Sequence, residues 1–128
     1  MIKTVIIDDE PDAITSLEMI CNEYCNNVKI VGTALIIDEA YKIIRKENPD
    51  LLLLDIDMPR GNAFDLMHRF PKRTFEVILI SAFFKKFKKQ ISQHNIFACI
   101  EKPVDIDELH AMVELIIEKR EKNKLDNN

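Results

Sequence analysis

The sequence predicts an α/β domain, a doubly wound parallel sheet of five strands covered by five helices. Three observations predict it. Short apolar runs alternate along the chain with segments of helical period. The runs Leu51–Leu54 and Val77–Ile80 are apolar throughout, as strands covered on both faces must be. Four runs also end at polar residues: Asp8-Asp9, Asp55, Ser81, and Glu101-Lys102-Pro103. If these strands are parallel neighbours, all four ends meet at one edge of the sheet, where open α/β folds place their ligands.

The elements follow in order. Residues 3–8 read as the first strand. Residues 11–25 read as a helix with Leu17, Ile20, Cys21 and Tyr24 on one face, and Pro11 suits its first turn, where a missing N–H costs nothing. Residues 28–33 make a second strand, and 38–47 a second helix with Asp38 as its expected N-cap. Asn48-Pro49-Asp50 is a loop before the third strand, 51–55. Pro59-Arg60-Gly61-Asn62 is a turn signal, followed by a short helix over 63–70 and a strand over 75–80. Phe84, Phe87 and Ile91 set a helical period over 84–93. A fifth strand covers 96–101, and the last helix, 105–120, carries the stripe Ile106, Leu109, Val113, Ile116. Residues 1–118 form the domain, and the polar stretch 119–128 is a fraying helix end or the start of a linker. A flavodoxin-like strand order, 2-1-3-4-5, would make the first and third strands neighbours and bring Asp8, Asp9 and Asp55 together.

Composition narrows the function. The chain has 128 residues, enough to bury a real core, with 18 basic and 22 acidic side chains. This balance argues against direct nucleic-acid binding. No apolar stretch approaches the length of a membrane span, and the first residues lack the pattern of a signal peptide. Three cysteines make no disulfide framework; Cys21 and Cys25, at i and i+4, are expected as free thiols in a reducing cytoplasm. His68, His94 and His110 are too scattered in sequence to suggest a metal site.

Taken singly, each polar strand end has an ordinary structural reading. Acids favour helix entry, an Asp before a turn is a turn residue, a Ser caps a helix, and a Lys sits in solvent. As a set at one sheet edge, they suit a divalent cation beside a phosphoryl group. Three clustered carboxylates repel one another without a cation, and magnesium prefers oxygen ligands of this kind. Asp55 can act as a nucleophile and become an acyl phosphate. Lys102 offers a point positive charge for phosphoryl oxygens, and the Ser81 hydroxyl a hydrogen-bond donor.

On these residues the chain resembles the receiver domain of two-component response regulators over about residues 1–118. Asp-Asp-Glu-Pro at 8–11 and Leu-Asp-Ile-Asp-Met-Pro at 54–59 look most like the LytR/AlgR-type regulators, with Ser81 and Lys102-Pro103 at family-like positions. The resemblance implies that Asp55 accepts a phosphoryl group from a sensor histidine kinase. It implies that Mg2+ is held by Asp8, Asp9, Asp55 and the Asp57 backbone carbonyl, that Ser81 is the switch hydroxyl, and that Lys102 pairs with the phosphate. It also implies a cis peptide at Lys102-Pro103. The expected role is regulatory rather than enzymatic: a phosphorylation-controlled, cytoplasmic switch in transcription regulation. Its output would be a fused DNA-binding domain absent from this chain, a separate protein, or a second copy bound through residues 84–118.

Three departures from the family pattern stand out. Cys99 occupies the position of the usual aromatic switch residue, with Phe97 expected on the same strand face. Ala63 replaces a usual glycine after the phosphorylation loop, where a positive φ would be tightened. Phe83 lies two residues past Ser81 and, with Asp57, is expected to tune how easily water reaches an acyl phosphate. Lys85, Lys86, Lys88 and Lys89 read as a solvated helix face, or else as part of a partner surface, with Phe84 and Phe87 packed inward. Met58 and Met67 are expected to fill gaps in the core. Two alternatives remain at this level. A magnesium phosphatase of the haloacid-dehalogenase type shares a strand followed by Asp-x-Asp, but its motifs run in another order. A pseudo-receiver would bind partners without being phosphorylated.

Overall fold

The computed structural model describes residues 1–58 and 61–126, Asp57 by its backbone alone. The strands are β1 (Ile2–Ile7), β2 (Val28–Ala34), β3 (Leu51–Asp55), β4 (Asp57–Met58), β5 (Gly61–Asn62), β6 (Glu76–Ser81) and β7 (Ala98–Glu101). The helices are α1 (Pro11–Tyr24), α2 (Ile37–Glu47), α3 (Ala63–His68), α4 (Lys88–Ser92) and α5 (Ile106–Asp126). A 3-10 turn, Phe84–Phe87, precedes α4. The main sheet is five-stranded, ordered β2-β1-β3-β6-β7, with parallel pairing throughout. This is the expected flavodoxin-like order; β4 and β5 form a separate antiparallel hairpin that the sequence pattern did not reveal.

Alternation along the strands divides the core into two layers. Val5, Ile7, Leu52, Leu54, Val77 and Leu79 face α2, α3 and the 84–91 segment. Ile6, Leu51, Leu53, Ile78, Ile80 and Ile100 face α1 and α5. Leu51–Leu54 are completely buried, which accounts for a run with no polar position. Met58 and Met67 are buried in the first layer, as expected of gap fillers. Gly32 of β2 lets α2 approach: a Cβ there would lie 2.6 Å from Cγ2 of Ile43.

Local differences from the sequence reading have physical reasons. Asp38 is not the N-cap of α2; Ile36 holds that position, and Asp38 sits in the first turn, paired with Arg69 at 3.0 Å. The 84–93 segment is not one helix: four residues wind as a tight 3-10 turn that lets Phe87 reach the core before five α-helical residues follow. Helix α5 does not end at 120. It continues to Asp126 although its apolar stripe stops; Arg120 ties it to Asp50 at 2.8 Å and Lys119 to Glu76 at 2.9 Å, and the exposed residues 121–126 past these pairs contain no Gly or Pro to break the helix. The turn expected at 59–62 is described only at Gly61-Asn62; Pro59 and Arg60 lie outside the described residues. Among the described residues, no helix is long and apolar enough to cross a membrane.

Candidate phosphoryl and metal site

The parallel register delivers the expected residues to one edge. Ile7 of β1 lies beside Leu54 of β3, so Asp8 and Asp9 emerge next to Asp55, the last residue of β3. Asp55 pairs with Ile80 of β6, and Ser81 ends that strand against Glu101 of β7. Lys102 follows directly, its backbone N–H donating to the Ser81 carbonyl at 3.0 Å. The Lys102-Pro103 peptide is cis.

Carboxylate oxygens of Asp8, Asp9 and Asp55 lie within 4.8 Å of one another. Asp8 is 1 % exposed, Asp55 8 % and Ser81 3 %, so two of the acids and the hydroxyl are sunk in the sheet edge. Asp8 is fixed from three sides. Its N–H donates to the Ala34 carbonyl, its Oδ1 accepts from the Glu10 N–H at 3.0 Å, and its Oδ2 accepts from Nζ of Lys102 at 2.8 Å. Lys102 Nζ also stands 3.8 Å from Oδ1 of Asp55. Ser81 does not cap the following turn, whose N-cap is Phe83; its Oγ accepts from the Phe83 N–H at 3.0 Å, leaving its own O–H as a donor.

Electrostatics make this an unfinished arrangement. Burial is the main force pushing the Asp55 acid up, and the Asp8 charge adds to it; Lys102 opposes both, and the result is about 7. Burial alone would lower Lys102, but its hydrogen bond to Asp8 and the charges of Asp55 and Asp8 outweigh that, and it is raised. One ammonium therefore faces three carboxylates. A cation bound among those oxygens would relieve the repulsion, and all-oxygen donors suit a hard divalent ion.

The hairpin and α3 hold the exit from β3. Asn62 Oδ1 accepts from the N–H groups of Phe64 and Asp65, while Asp65 Oδ2 accepts from the Asn62 N–H at 2.9 Å, a closed capping box. Its signature, Asn62 followed three residues later by an acid, was readable in the sequence. The glycine-like backbone lies at Gly61 (φ 134°), not at Ala63, which begins α3 fully buried. The alanine therefore tightens nothing. Phe97 precedes β7 and packs with the α1/α5 layer, whereas Cys99 packs with the opposite layer, so the two do not share a face. Phe97 cannot stand in for an aromatic residue at 99. Phe83 is 74 % exposed, and the Asp57 side chain lies outside the described residues.

The profile of the response regulator receiver domain matches residues 4–114. The chain belongs to that family: it is the receiver domain of a two-component response regulator. It is 34 % identical over 119 residues to the transcriptional regulatory protein HptR of Staphylococcus aureus, covering 91 % of this chain and 45 % of that one. It is 30 % identical over 123 residues to the transcriptional regulatory protein BtsR of Escherichia coli K12, covering 95 % and 51 %. The chain thus spans about half the length of these curated relatives. Among solved structures, the receiver domain of AraT from Geobacillus stearothermophilus superimposes with a TM-score of 0.83 at 24 % identity, covering 96 % of this chain and 98 % of that one. The response regulatory domain of mrkE from Klebsiella pneumoniae gives 0.84 at 21 %, covering 94 % and 98 %. These likenesses establish the fold. The family match leaves the dehalogenase-type phosphatase reading without support.

Proposed function

We propose that the domain is a phosphorylation-controlled switch: Asp55 accepts a phosphoryl group from a sensor histidine kinase, with Mg2+ held by Asp8, Asp9, Asp55 and the Asp57 backbone carbonyl. One observation carries this reading. Three acids at the ends of two strands bring carboxylate oxygens within 4.8 Å of one another, and one lysine reaches Asp8 and Asp55 together. When bound there, magnesium supplies charge neutralisation on the phosphoryl oxygens.

The chain's own residues do the rest. A carboxylate oxygen of Asp55 forms the new O–P bond as the P–N bond of a phosphohistidine breaks, and the freed imidazole takes up a proton. The strand end holds Asp55 for in-line attack, the main contribution a protein makes to phosphoryl transfer. Lys102, bound more closely to Asp8 than to Asp55, then gains a stronger anionic partner in the phosphoryl oxygens. The Ser81 hydroxyl donates to the same group. Because Ser81 and Lys102 end β6 and begin the connection to α5, their shift biases the surface over residues 84–118. The output would be a DNA-binding segment, in keeping with relatives named as transcriptional regulatory proteins. A second copy bound through 84–118 is the other form of output, and the expected compartment is the cytoplasm.

Incubation with acetyl phosphate and Mg2+ tests the proposal. A single base-labile phosphoryl adduct on Asp55 is expected, lost in Asp55→Asn and on chelation. An unmodified Asp55 in folded protein with Mg2+ bound would overturn it and favour an unphosphorylated interaction module. Sustained turnover of simple phosphate esters would revive the phosphatase.

A further inference from the structure

His68, at the end of α3, and His94, just beyond α4, are 26 positions apart, yet their Nε2 atoms stand 3.2 Å apart. The rings are tilted, with centroids 5.1 Å apart, and the Phe64 ring backs His94 at 5.0 Å. His94 Nδ1 lies 2.7 Å from the Gln90 carbonyl oxygen, which can only accept, so Nδ1 carries the hydrogen. In the neutral ring, Nε2 of His94 then has a bare lone pair, and His68 donates to it. An imidazole held by an Nδ1–H bond to a carbonyl, its Nε2 lone pair turned to a partner, is oriented as metal-ligating histidines are.

The separation has a chemical meaning. Two nitrogens, each ~2.05 Å from one tetrahedral zinc, lie ~3.3 Å apart. The observed 3.2 Å therefore needs little adjustment. We propose that His68 and His94 form a second metal site, for a late first-row divalent ion such as zinc or nickel, which staples the end of α3 to the end of α4. It differs from the acidic cluster in chemistry as well as position: imidazole suits zinc and nickel, carboxylates suit magnesium. Binding needs no oxidant and releases no net proton. The hydrogen on Nε2 of His68 moves through water to its Nδ1, and the exposed ring turns so that both lone pairs meet at the ion. Two protein ligands leave two tetrahedral positions to water or to a donor from another molecule.

The test is calorimetric titration of the chain with zinc chloride, then nickel chloride, in excess Mg2+ so that oxygen donors are satisfied. Nitrogen-15 spectra of the histidine rings are recorded in parallel. One ion per chain is expected, with both His68 and His94 Nε2 signals shifting and EDTA restoring them. Loss of an outer-shell partner alone weakens metal sites 10–100-fold, so His68→Asn or His94→Gln should each weaken binding about tenfold or more. The double variant should lose little beyond either single one. His110→Gln is the control, because His110 Nε2 and Glu114 form a separate pair at 3.7 Å. Unmoved ring signals of His68 and His94 in the unaltered protein would overturn the site and leave a simple hydrogen-bonded imidazole pair. Binding that follows His110 or the acidic cluster instead would also overturn it.

Discussion

Replacing Asp55 with Asn should make the metal-free domain more stable at alkaline pH and leave it unchanged in acid. The Asp55 carboxyl is raised from 3.8 to about 7, first by burial and then by the Asp8 charge. Between those values the folded protein holds a proton that the unfolded chain has released. Stability therefore falls as pH rises through that window, and the full cost is reached above the folded value. At ~1.4 kcal/mol for each tenfold change in acidity, the gap corresponds to roughly 4 kcal/mol. Relaxation and water penetration in a real interior reduce this to about 2 kcal/mol. For a domain of this length, that gives a melting temperature higher by about 8 °C. Melting curves of both proteins in EDTA, from pH 4 to pH 8.5, should coincide at the acid end and diverge through neutrality. Millimolar Mg2+ should close most of the gap at pH 8 by stabilising only the protein with the complete carboxylate set. A gap that ignores pH would mean that the amide changes packing rather than charge. An Asp55→Asn variant less stable than the unaltered protein at pH 8 would refute the electrostatic account of the pocket.

Other outcomes follow from the same geometry. Lys102→Met strips the cation from Asp8, which is nearly inaccessible; unfolding in urea without metal should be easier by about 3 kcal/mol, and Mg2+ should recover more stability than in the unaltered protein. Gly32→Ala forces a methyl group against Ile43 and should cost about 1–3 kcal/mol in the same assay, with phosphorylation preserved. Burial raises all three thiols, Cys21 to about 12, so in native protein at pH 8 a thiol reagent should modify Cys99 first and leave Cys21 and Cys25 untouched until unfolding. Phe83→Ala should alter the lifetime of the phosphorylated form, measured by loss of label; an unchanged lifetime would end the idea that this residue governs water access.

The strands and their polar ends were legible because they rest on local signals, short apolar runs that each stop at polar residues, and the strand order followed from the fold class that this alternation with helices defines. Period alone could not show where α5 stops. The residues past the stripe are exposed yet still wind to Asp126, and the Arg120–Asp50 pair that holds the helix before them is a contact across the fold that no window of sequence contains. The mistaken capping role of Asp38 has a similar origin, since its carboxylate is claimed by Arg69 of a later element. The expected sharing of a face by Phe97 and Cys99 assumed that β7 began at 96; it begins at Ala98, and the chain before it turns the ring to the other layer. The meeting of His68 and His94 was hidden for the plainest reason: the intervening β6 and its connections fold back to bring two unrelated helix ends side by side.

Asp50 gives the domain an anchor point. At the edge of the sheet remote from the acids, its carboxylate accepts from the Lys3 N–H and from Arg120, while its own N–H donates to the Lys3 carbonyl. Helix α5, 21 residues and so ~31 Å long, starts four positions after Lys102 and is clamped there at Arg120. Between Lys102 and that clamp, Leu109, Val113 and Ile116 are buried, so the helix is anchored along its length and only the exposed residues past Arg120, 121–126, overhang the domain.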